Sequence, residues 1–308
     1  MNSSPQISVV MSVYNGEGHL AETLDSVLMQ EDGDFEFIVV NDGSTDSSVA
    51  ILDRYASQNS RLKVIHQENT GLTRALIIGC SQARGEFIAR QDAGDISLPG
   101  RLKKQSDFLL NHSDAVMCGC AVLFTGPLHE PLYETSKPML QLDNGFRKLD
   151  IKHLSGPPHH GGTMFRREAY LKVGGYRPTF MVAQDIDLWL RMSELGLCLG
   201  MSELLYQARL EAGSISSRRR LEQFRSGNLA IDCARIRRSG GNDQSLLDTY
   251  KSVVHARKSV GRFEKARFHY FIASCLLGHD RAAAKRYYRQ VLKENPLHLK
   301  ALLRLLAN

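Results

Sequence analysis

The sequence predicts an α/β fold, a mostly parallel central sheet flanked by helices. Three observations predict it. Short apolar, β-branched runs recur at residues 7–13, 35–40, 62–65 and 86–89. Helix-patterned stretches at 19–29, 46–57 and 72–83 separate them. Polar residues gather just past the runs, at Tyr14-Asn15, Asn41-Asp42-Gly43, Asn69-Thr70-Gly71 and Asp92 to Asp95. Continuous rather than alternating apolar runs mean strands covered on both faces, as in parallel sheets. Ligands on such sheets bind beyond the carboxyl ends of the strands, so that edge is the expected site.

Further along, a helix is expected at 101–111 and a strand at 115–124. Residues 126–156, with scattered Pro, Leu and charge, read as a loop or helical insertion. Apolar spacing at 184–191 is helical, and everything from about residue 218 reads as helix. Within it, residues 278–296 weakly resemble one tetratricopeptide hairpin, which alone does not make a solenoid.

The bulk numbers describe an ordinary globular protein, with 43% hydrophobic and 23% charged residues in 308. No run approaches a membrane span, and the polar start at residues 1–6 lacks a secretory pattern. Six cysteines, at 80, 118, 120, 198, 233 and 275, show no metal spacing and read as reduced, buried thiols of a cytoplasmic protein. Charge divides unevenly. From Arg218 onward there are 20 Lys+Arg against 7 Asp+Glu, whereas the preceding residues are net acidic. A basic helical tail is most simply a solvated surface; the sharper reading is peripheral contact with anionic lipid at the inner face of a membrane. Nucleic-acid binding is not expected, because aromatic interleaving and a known motif are missing. A dinucleotide oxidoreductase is excluded by the lack of a Gly-x-Gly-x-x-Gly turn after the first run.

The most informative stretch is Phe87-Ile-Ala-Arg-Gln-Asp-Ala-Gly-Asp-Ile-Ser-Leu-Pro99. An apolar strand runs into a turn with two carboxylates, Asp92 and Asp95, around Gly94. Such a pair at a strand end suits a divalent cation held against a phosphorylated substrate. The competing reading is a plain Asp-Gly surface turn.

Seven strings extend the pattern: Ser12-Val-Tyr-Asn15, Val40-Asn-Asp-Gly-Ser-Thr-Asp46, Asn69-Thr-Gly-Leu72, Gly85-Glu-Phe-Ile-Ala-Arg90, Asp92-Ala-Gly-Asp95, Gly174-Gly-Tyr176 and Gln184-Asp-Ile-Asp-Leu-Trp189. In this order the chain resembles a family 2 glycosyltransferase of the GT-A nucleotide-diphospho-sugar transferase fold, over about residues 6–217. The resemblance implies inverting transfer of a sugar from a nucleotide-diphosphate donor, UDP-linked by expectation, to an acceptor hydroxyl of a carbohydrate or lipid-linked acceptor. It sets a transferase domain at 1–217 and a basic α-helical region at 218–308. A surface polysaccharide or glycolipid is the expected product. The alternative is a relative that binds nucleotide sugars with little or no catalysis.

The resemblance also assigns roles. Asp42 would take a uracil-like N–H or a ribose hydroxyl on its acceptor oxygens, with Tyr14, Asn15 and Glu17 lining the same pocket. The alternative is that Asp42 and Asp46 only cap the turn and the next helix. Asp92 and Asp95 would grip Mn²⁺ or Mg²⁺, and Arg74 would assist the pyrophosphate weakly. Asp185 is the expected general base, with Asp187 structural or behind it. His160, Gly161, Gln184 and Trp189 are expected near the acceptor, although helical spacing also puts Trp189 in the core. His159 and His160 invite a metal reading, but neighbouring ligands diverge in extended backbone, which argues against metal ligation at this segment. Three departures stand out. Gly94 occupies a position usually acidic in the family, Gln184 replaces a usual Glu, and Glu211 stands where a histidine metal ligand is common. Two readings stand for Glu211: a hard oxygen donor that replaces the missing carboxylate, and a solvated surface side chain.

Overall fold

The computed structural model describes residues 4–31, 33–212, 220–250 and 261–306. By its contacts the chain forms two compact units. The first comprises residues 1–122, 135–208 and 222–252; the second comprises 123–134, 209–221 and 253–308. The boundary expected at residue 217 lies outside the described residues.

The first unit starts with β1 (Ile7–Val13), β2 (Phe35–Asp42), β3 (Leu62–Gln67) and β4 (Phe87–Asp92). They alternate with α1 (Leu20–Leu28), α2 (Ser48–Gln58) and α3 (Leu72–Ser81). All eight residues of β2 are buried, as the uninterrupted apolar run requires of a strand covered on both faces. One of them is Glu36, whose carboxylate is satisfied by the Ser8 hydroxyl at 2.8 Å and by two guanidinium contacts from Arg84. Burial of that charge is tolerated because every oxygen is paired.

β1 pairs in parallel with β2 on one side and β4 on the other, and β2 pairs with β3. The order β3-β2-β1-β4 reverses direction at β1, the switch point where open α/β sheets place their ligands. Register aligns Val13 with Asn41, Ser12 with Asp92, and Asp42 with Gln67. All four polar turns are therefore carried to one edge.

Beyond β4 follow β5 (Ile96–Ser97), α4 (Arg101–Asn111) and β6 (Ala115–Thr125). Residues 126–156 hold a strand as well as a helix, β7 (Pro131–Thr135) and α5 (Gln141–Arg147), where a loop or helical insertion was expected. With proline at its first residue, β7 tolerates the missing N–H, which is why it lacks a strong strand signature. Next come β8 (Thr163–Arg166), α6 (Arg167–Lys172), α7 (Gln184–Met192) and β9 (Leu197–Arg209). β8 runs antiparallel to both β4 and β6, and β9 antiparallel to β5. These antiparallel strands bring His159–Gly161 and Tyr206 toward the end of β4.

α8 (Arg220–Arg238) and α9 (Gln244–Thr249) follow. Several basic residues of α8 are taken up internally: Arg237 pairs with Glu194 at 2.7 Å, Arg235 with Asp232 at 2.7 Å, and Arg238 donates to the Ser193 hydroxyl at 3.1 Å. In the second unit, α10 (Arg262–Leu276) and α11 (Arg281–Glu294) form a hairpin around Ile272, Ala273, Ala284, Tyr288 and Val291. Asp280 caps α11 by accepting the Ala283 N–H at 2.8 Å. α12 (Leu299–Leu306) buries Ala301 and leaves Leu299, Leu303 and Leu306 exposed.

Candidate active site

One end of the edge is a web of carboxylates holding backbone amides. Asp42 is buried; its Oδ1 accepts from Gln67 Nε2 and Thr70 N, both at 2.8 Å, and its Oδ2 from Gly71 N at 2.9 Å. Asp42 thus fastens the turn before α3 to the end of β2. Asn15, in the left-handed region at φ 53°, accepts the Thr45 N–H at 2.8 Å. Asparagine is one of the few side-chain-bearing residues at home there. Glu17 accepts the Ser47 N–H at 2.9 Å, while Asp46 accepts from Glu17 N at 3.1 Å and Ser48 N at 3.0 Å. Tyr14 is half-buried in the same segment. Arg74 lies exposed on the first turn of α3.

The other end is built around the acidic turn. Gly94 has φ 100°, a conformation that disfavours side chains, and its N–H donates to Thr23 Oγ1 at 3.0 Å. The turn brings Asp92 and Asp95 onto one side, and His159 meets them there. His159 Nδ1 is 3.8 Å from Asp92 Oδ2 and 3.5 Å from Asp95 Oδ2. One donor atom from each of these three residues lies within 4.8 Å of the others. A divalent cation with bonds of about 2.0–2.5 Å bridges such a spread, so the donor set fits a metal. Glu211 is exposed and belongs to the second unit; the grouped donors among the described residues are Asp92, Asp95 and His159.

Tyr206 organises this end from below. Its hydroxyl donates to Asp95 Oδ2 at 2.9 Å and accepts the Asp92 N–H at 3.1 Å, and its ring stacks on His159. A Cβ on Gly161 would meet that hydroxyl at 2.1 Å, so only glycine fits at this position. Two fully buried arginines lie behind. Arg101 sits over the Tyr206 ring and donates to the carbonyls of Arg90 and Gly161, both at 2.7 Å. Arg90 pairs with Asp92 Oδ1 at 2.7 Å. Burial pushes the Asp92 carboxyl up, but Arg90 overrides it and holds Asp92 below the usual range.

His159 and His160 diverge: against the expectation of no metal ligand at this segment, His159 meets Asp92 and Asp95, whereas His160 turns elsewhere. His160 Nε2 accepts from Tyr176 at 2.7 Å and from Arg90 Nε at 3.3 Å. Burial, then the Arg90 charge, push the His160 imidazole down to about 3, so it is neutral. Asp185, half-buried on the first turn of α7, makes no salt bridge among the described residues and accepts the Ile186 N–H at 2.9 Å. Burial raises its carboxyl above the ordinary value, and the nearby Asp92 charge adds to the rise. Ala183, the residue before α7, is left-handed at φ 56°. Gln184 is buried, and Trp189 is 3% exposed in the core, edge-on to His160. Asp187 is buried between Arg177 and Arg191 and faces away from the cleft as a structural ion pair.

Sequence reasoning missed His159, Tyr206, Arg90 and Arg101. Arg90 was within reach, because strand period two puts residues 90 and 92 on one face. Tyr206 was not: only the pairing of Ser97 with Tyr206 delivers it.

The profile of "Glycosyl transferase family 2" matches residues 8–174, more than half of the chain. The putative glycosyltransferase EpsE of Bacillus subtilis (strain 168) is 34% identical over 223 residues, 71% of this chain and 78% of EpsE. The putative teichuronic acid biosynthesis glycosyltransferase TuaG of the same organism is 30% identical, covering 70% of this chain and 83% of TuaG. In fold, the chain is similar to the mannosyltransferase PcManGT from Pyrobaculum calidifontis in complex with GDP-Man and Mn²⁺. There the TM-score is 0.56 at 17% identity, over 99% of this chain and 80% of that one. With a GT-A-like sheet, an acidic turn at its switch point and these relatives, the chain is a glycosyltransferase and belongs to glycosyl transferase family 2.

Proposed function

We propose that the protein transfers a sugar, with inversion, from a UDP-linked donor to a hydroxyl of a carbohydrate or lipid-linked acceptor in surface polysaccharide or glycolipid synthesis. The observation that carries this reading is Asp185. It is a half-buried carboxylate with a raised proton affinity, close enough to Asp92 to feel its charge. A base so tuned accepts the acceptor's proton as its oxygen attacks the anomeric carbon. The bond from that carbon to the diphosphate breaks, and the nucleoside diphosphate leaves from the opposite face. Asp92, Asp95 and His159 would hold Mn²⁺ or Mg²⁺, which when bound neutralises charge on the leaving diphosphate. Arg90 keeps Asp92 ionised for that task. The donor's base would meet Asp42, Tyr14, Asn15 and Glu17, with Arg74 near the phosphates. Asp42 Oδ1 takes Gln67 Nε2, Thr70 N and, at 3.3 Å, Thr70 Oγ1, and Oδ2 takes Gly71 N, so the remaining acceptor capacity lies on Oδ2 and suits the single imide N–H of uracil rather than guanine's paired donors. That favours uridine.

The acceptor is proposed to lie against His160, Gly161, Gln184 and the edge of Trp189. Because the His160 ring nitrogen is occupied by Arg90 and Tyr176, its part is to shape the cavity. Association with anionic lipid through the second unit is proposed from α12, where Leu299, Leu303 and Leu306 share an exposed face flanked by Lys300 and Arg304. Salt-sensitive flotation with anionic vesicles, lost when the three leucines become serine, tests it. No helix among the described residues is long and apolar enough to cross a membrane.

A nucleotide-sugar panel with purified protein and Mn²⁺ tests the main reading. Turnover of a UDP-sugar, lost in Asp185→Asn while UDP still binds, is expected. A second reading, a binding relative without catalysis, is favoured by Gly94, which offers the acidic turn no third carboxylate. UDP binding without turnover of any donor would select it.

A further inference from the structure

We propose that His66 is a positioning residue for the nucleotide: from the face of the sheet away from Asp42, it holds the turn after β2 in the shape that the donor meets. The role rests on the reading of this edge as the donor pocket, and extends it to side chains that touch no nucleotide. Register pairs His66 with Asn41, and Gln67 with Asp42. Neighbouring residues on a strand point to opposite faces, so Asn41 and His66 share one face while Asp42 and Gln67 share the other. The first face is the one covered by α2, whose Asp53 reaches His66.

Donors and acceptors along this face run in one direction. Ser44 N donates to Asn41 Oδ1 at 3.1 Å. A backbone amide only donates, so the amide oxygen of Asn41 belongs there. Its NH₂ group is thereby turned toward the imidazole, 3.0 Å from Nδ1. Nδ1 must accept, which leaves the ring proton on Nε2, 3.1 Å from Asp53 Oδ1. Asp53 thus selects the tautomer that Asn41 needs. A proton on Nδ1 would set donor against donor, and turning the Asn41 amide over would only move that conflict to Ser44.

Ser44 passes the constraint on. Its hydroxyl accepts the Asn15 N–H at 2.9 Å, and Asn15 Oδ1 takes the Thr45 N–H at 2.8 Å. Gly43, between Asp42 and Ser44, has φ 73°, and a Cβ there would meet Asn69 N at 2.6 Å. So sharp a turn is held from both faces. Asp42 holds one through Gln67, Thr70 and Gly71; Asn41 and His66 hold the other. Asn41 is buried, whereas the His66 and Asp53 side chains are 42% and 60% exposed. The outer members of the chain can therefore be replaced with little cost to folding.

The test is calorimetry of UDP with Mn²⁺ present, together with steady-state turnover of a UDP-sugar, in three variants of the intact protein. In His66→Leu the UDP dissociation constant and KM should rise about three- to tenfold, the worth of roughly one hydrogen bond. Little change in kcat is expected, the mark of binding lost equally from ground and transition states. His66→Asn, whose Oδ1 can stand in for Nδ1 as acceptor, should recover most of the loss, and Asp53→Leu should show a smaller one. Nitrogen NMR of ¹⁵N-histidine protein should find His66 protonated on Nε2 and bare on Nδ1. Unchanged UDP affinity in His66→Leu, a fall in kcat at constant KM, or a ring protonated on Nδ1 overturns the role of His66 and leaves the donor pocket standing. A lower melting temperature, with His66→Asn no better than His66→Leu, marks a merely structural contact and overturns it too. No UDP binding to the parent protein overturns the donor-pocket reading, and this role with it.

Discussion

The two ends of the sheet edge use carboxylates in opposite ways. Around Asp42, Glu17 and Asp46, each acid meets backbone N–H groups at 2.8–3.1 Å and stitches neighbouring turns together. Around Asp92 and Asp95, the acids face each other and an imidazole lone pair, with two buried arginines behind. The first end is fastened by its own hydrogen bonds before any ligand arrives. The second brings two carboxylates and an imidazole within 4.8 Å of one another, a donor set that could hold a cation, and Asp185 beside it is partly desolvated and makes no ion pair among the described residues. The difference teaches that binding and chemistry are separable here, with a preassembled pocket at one end and stored electrostatic tension at the other.

The largest expected break is at Asp185. Asp185→Asn should lower turnover by about 10²–10⁴, the usual worth of a general base, with UDP affinity retained. Stability should move the other way. Because the folded carboxyl is raised, its protonated form is the stabilising one, and that contribution fades as pH rises through the folded value. At pH 7–8 the variant should therefore melt higher than the parent, and at a pH near the ordinary carboxylate value (about 4) the gain should vanish. In the parent, turnover should fall as acid protonates Asp185. A variant melting lower at neutral pH would contradict the tension at this end.

Metal and substitution should then tell the ends apart. Adding Mn²⁺ should raise the melting temperature of the parent and of Asp42→Asn, but not of Asp92→Asn. Asp42→Asn should itself cost about 1–3 kcal/mol, because an amide cannot replace acceptors that hold Gln67, Thr70 and Gly71. An Asp42→Asn protein as stable as the parent would show that the first end is not self-fastened. Gly161→Ala should cost a similar ~1–3 kcal/mol through overpacking against the Tyr206 hydroxyl, and weaken Mn²⁺ by displacing it.

A pH titration separates the ends further. His160 is pushed down to about 3, so its neutral form is the folded one. That contribution is complete above the ordinary imidazole value of about 6.5 and is lost as pH falls from there toward the folded value. Between roughly pH 6 and 4 the parent should lose more stability than His160→Asn does. Equal losses would remove His160 from the acid response.

How much of this was legible follows the same split. The parallel half could be read because β1 and β2 are apolar on both faces and their ends are punctuated by Asn, Asp and Gly. Local chemistry decided them. The cation end depends on contacts between distant residues: Ser97 with Tyr206 through β5 and β9, and Ala89 with Met164 through β4 and β8. No periodicity encodes such pairings, so His159 and Tyr206 stayed hidden although the two histidines were noticed. Glu211 drew attention by chemical type, yet the donor meeting Asp92 and Asp95 is a residue whose backbone leads into β8. β7, short and opened by proline, lacked the signature of a strand.

The smallest effect lies at the residue that leads into the helix carrying the base. Ala183 is buried and left-handed at φ 56°, immediately before Gln184 and Asp185. A side chain there costs about 1 kcal/mol or slightly more relative to an unstrained conformation, while glycine accepts it freely. Ala183→Gly also raises the entropy of the unfolded chain, which takes back part of that gain. The net expectation is a change in stability within about 1 kcal/mol. Turnover should fall more than stability changes, because the same freedom loosens the first turn of α7 that aims Asp185. UDP affinity, set at the other end of the edge, should stay constant. Equal losses in UDP binding and turnover would mean that Ala183 supports the whole rim, and the separation of the two ends would fail at this residue.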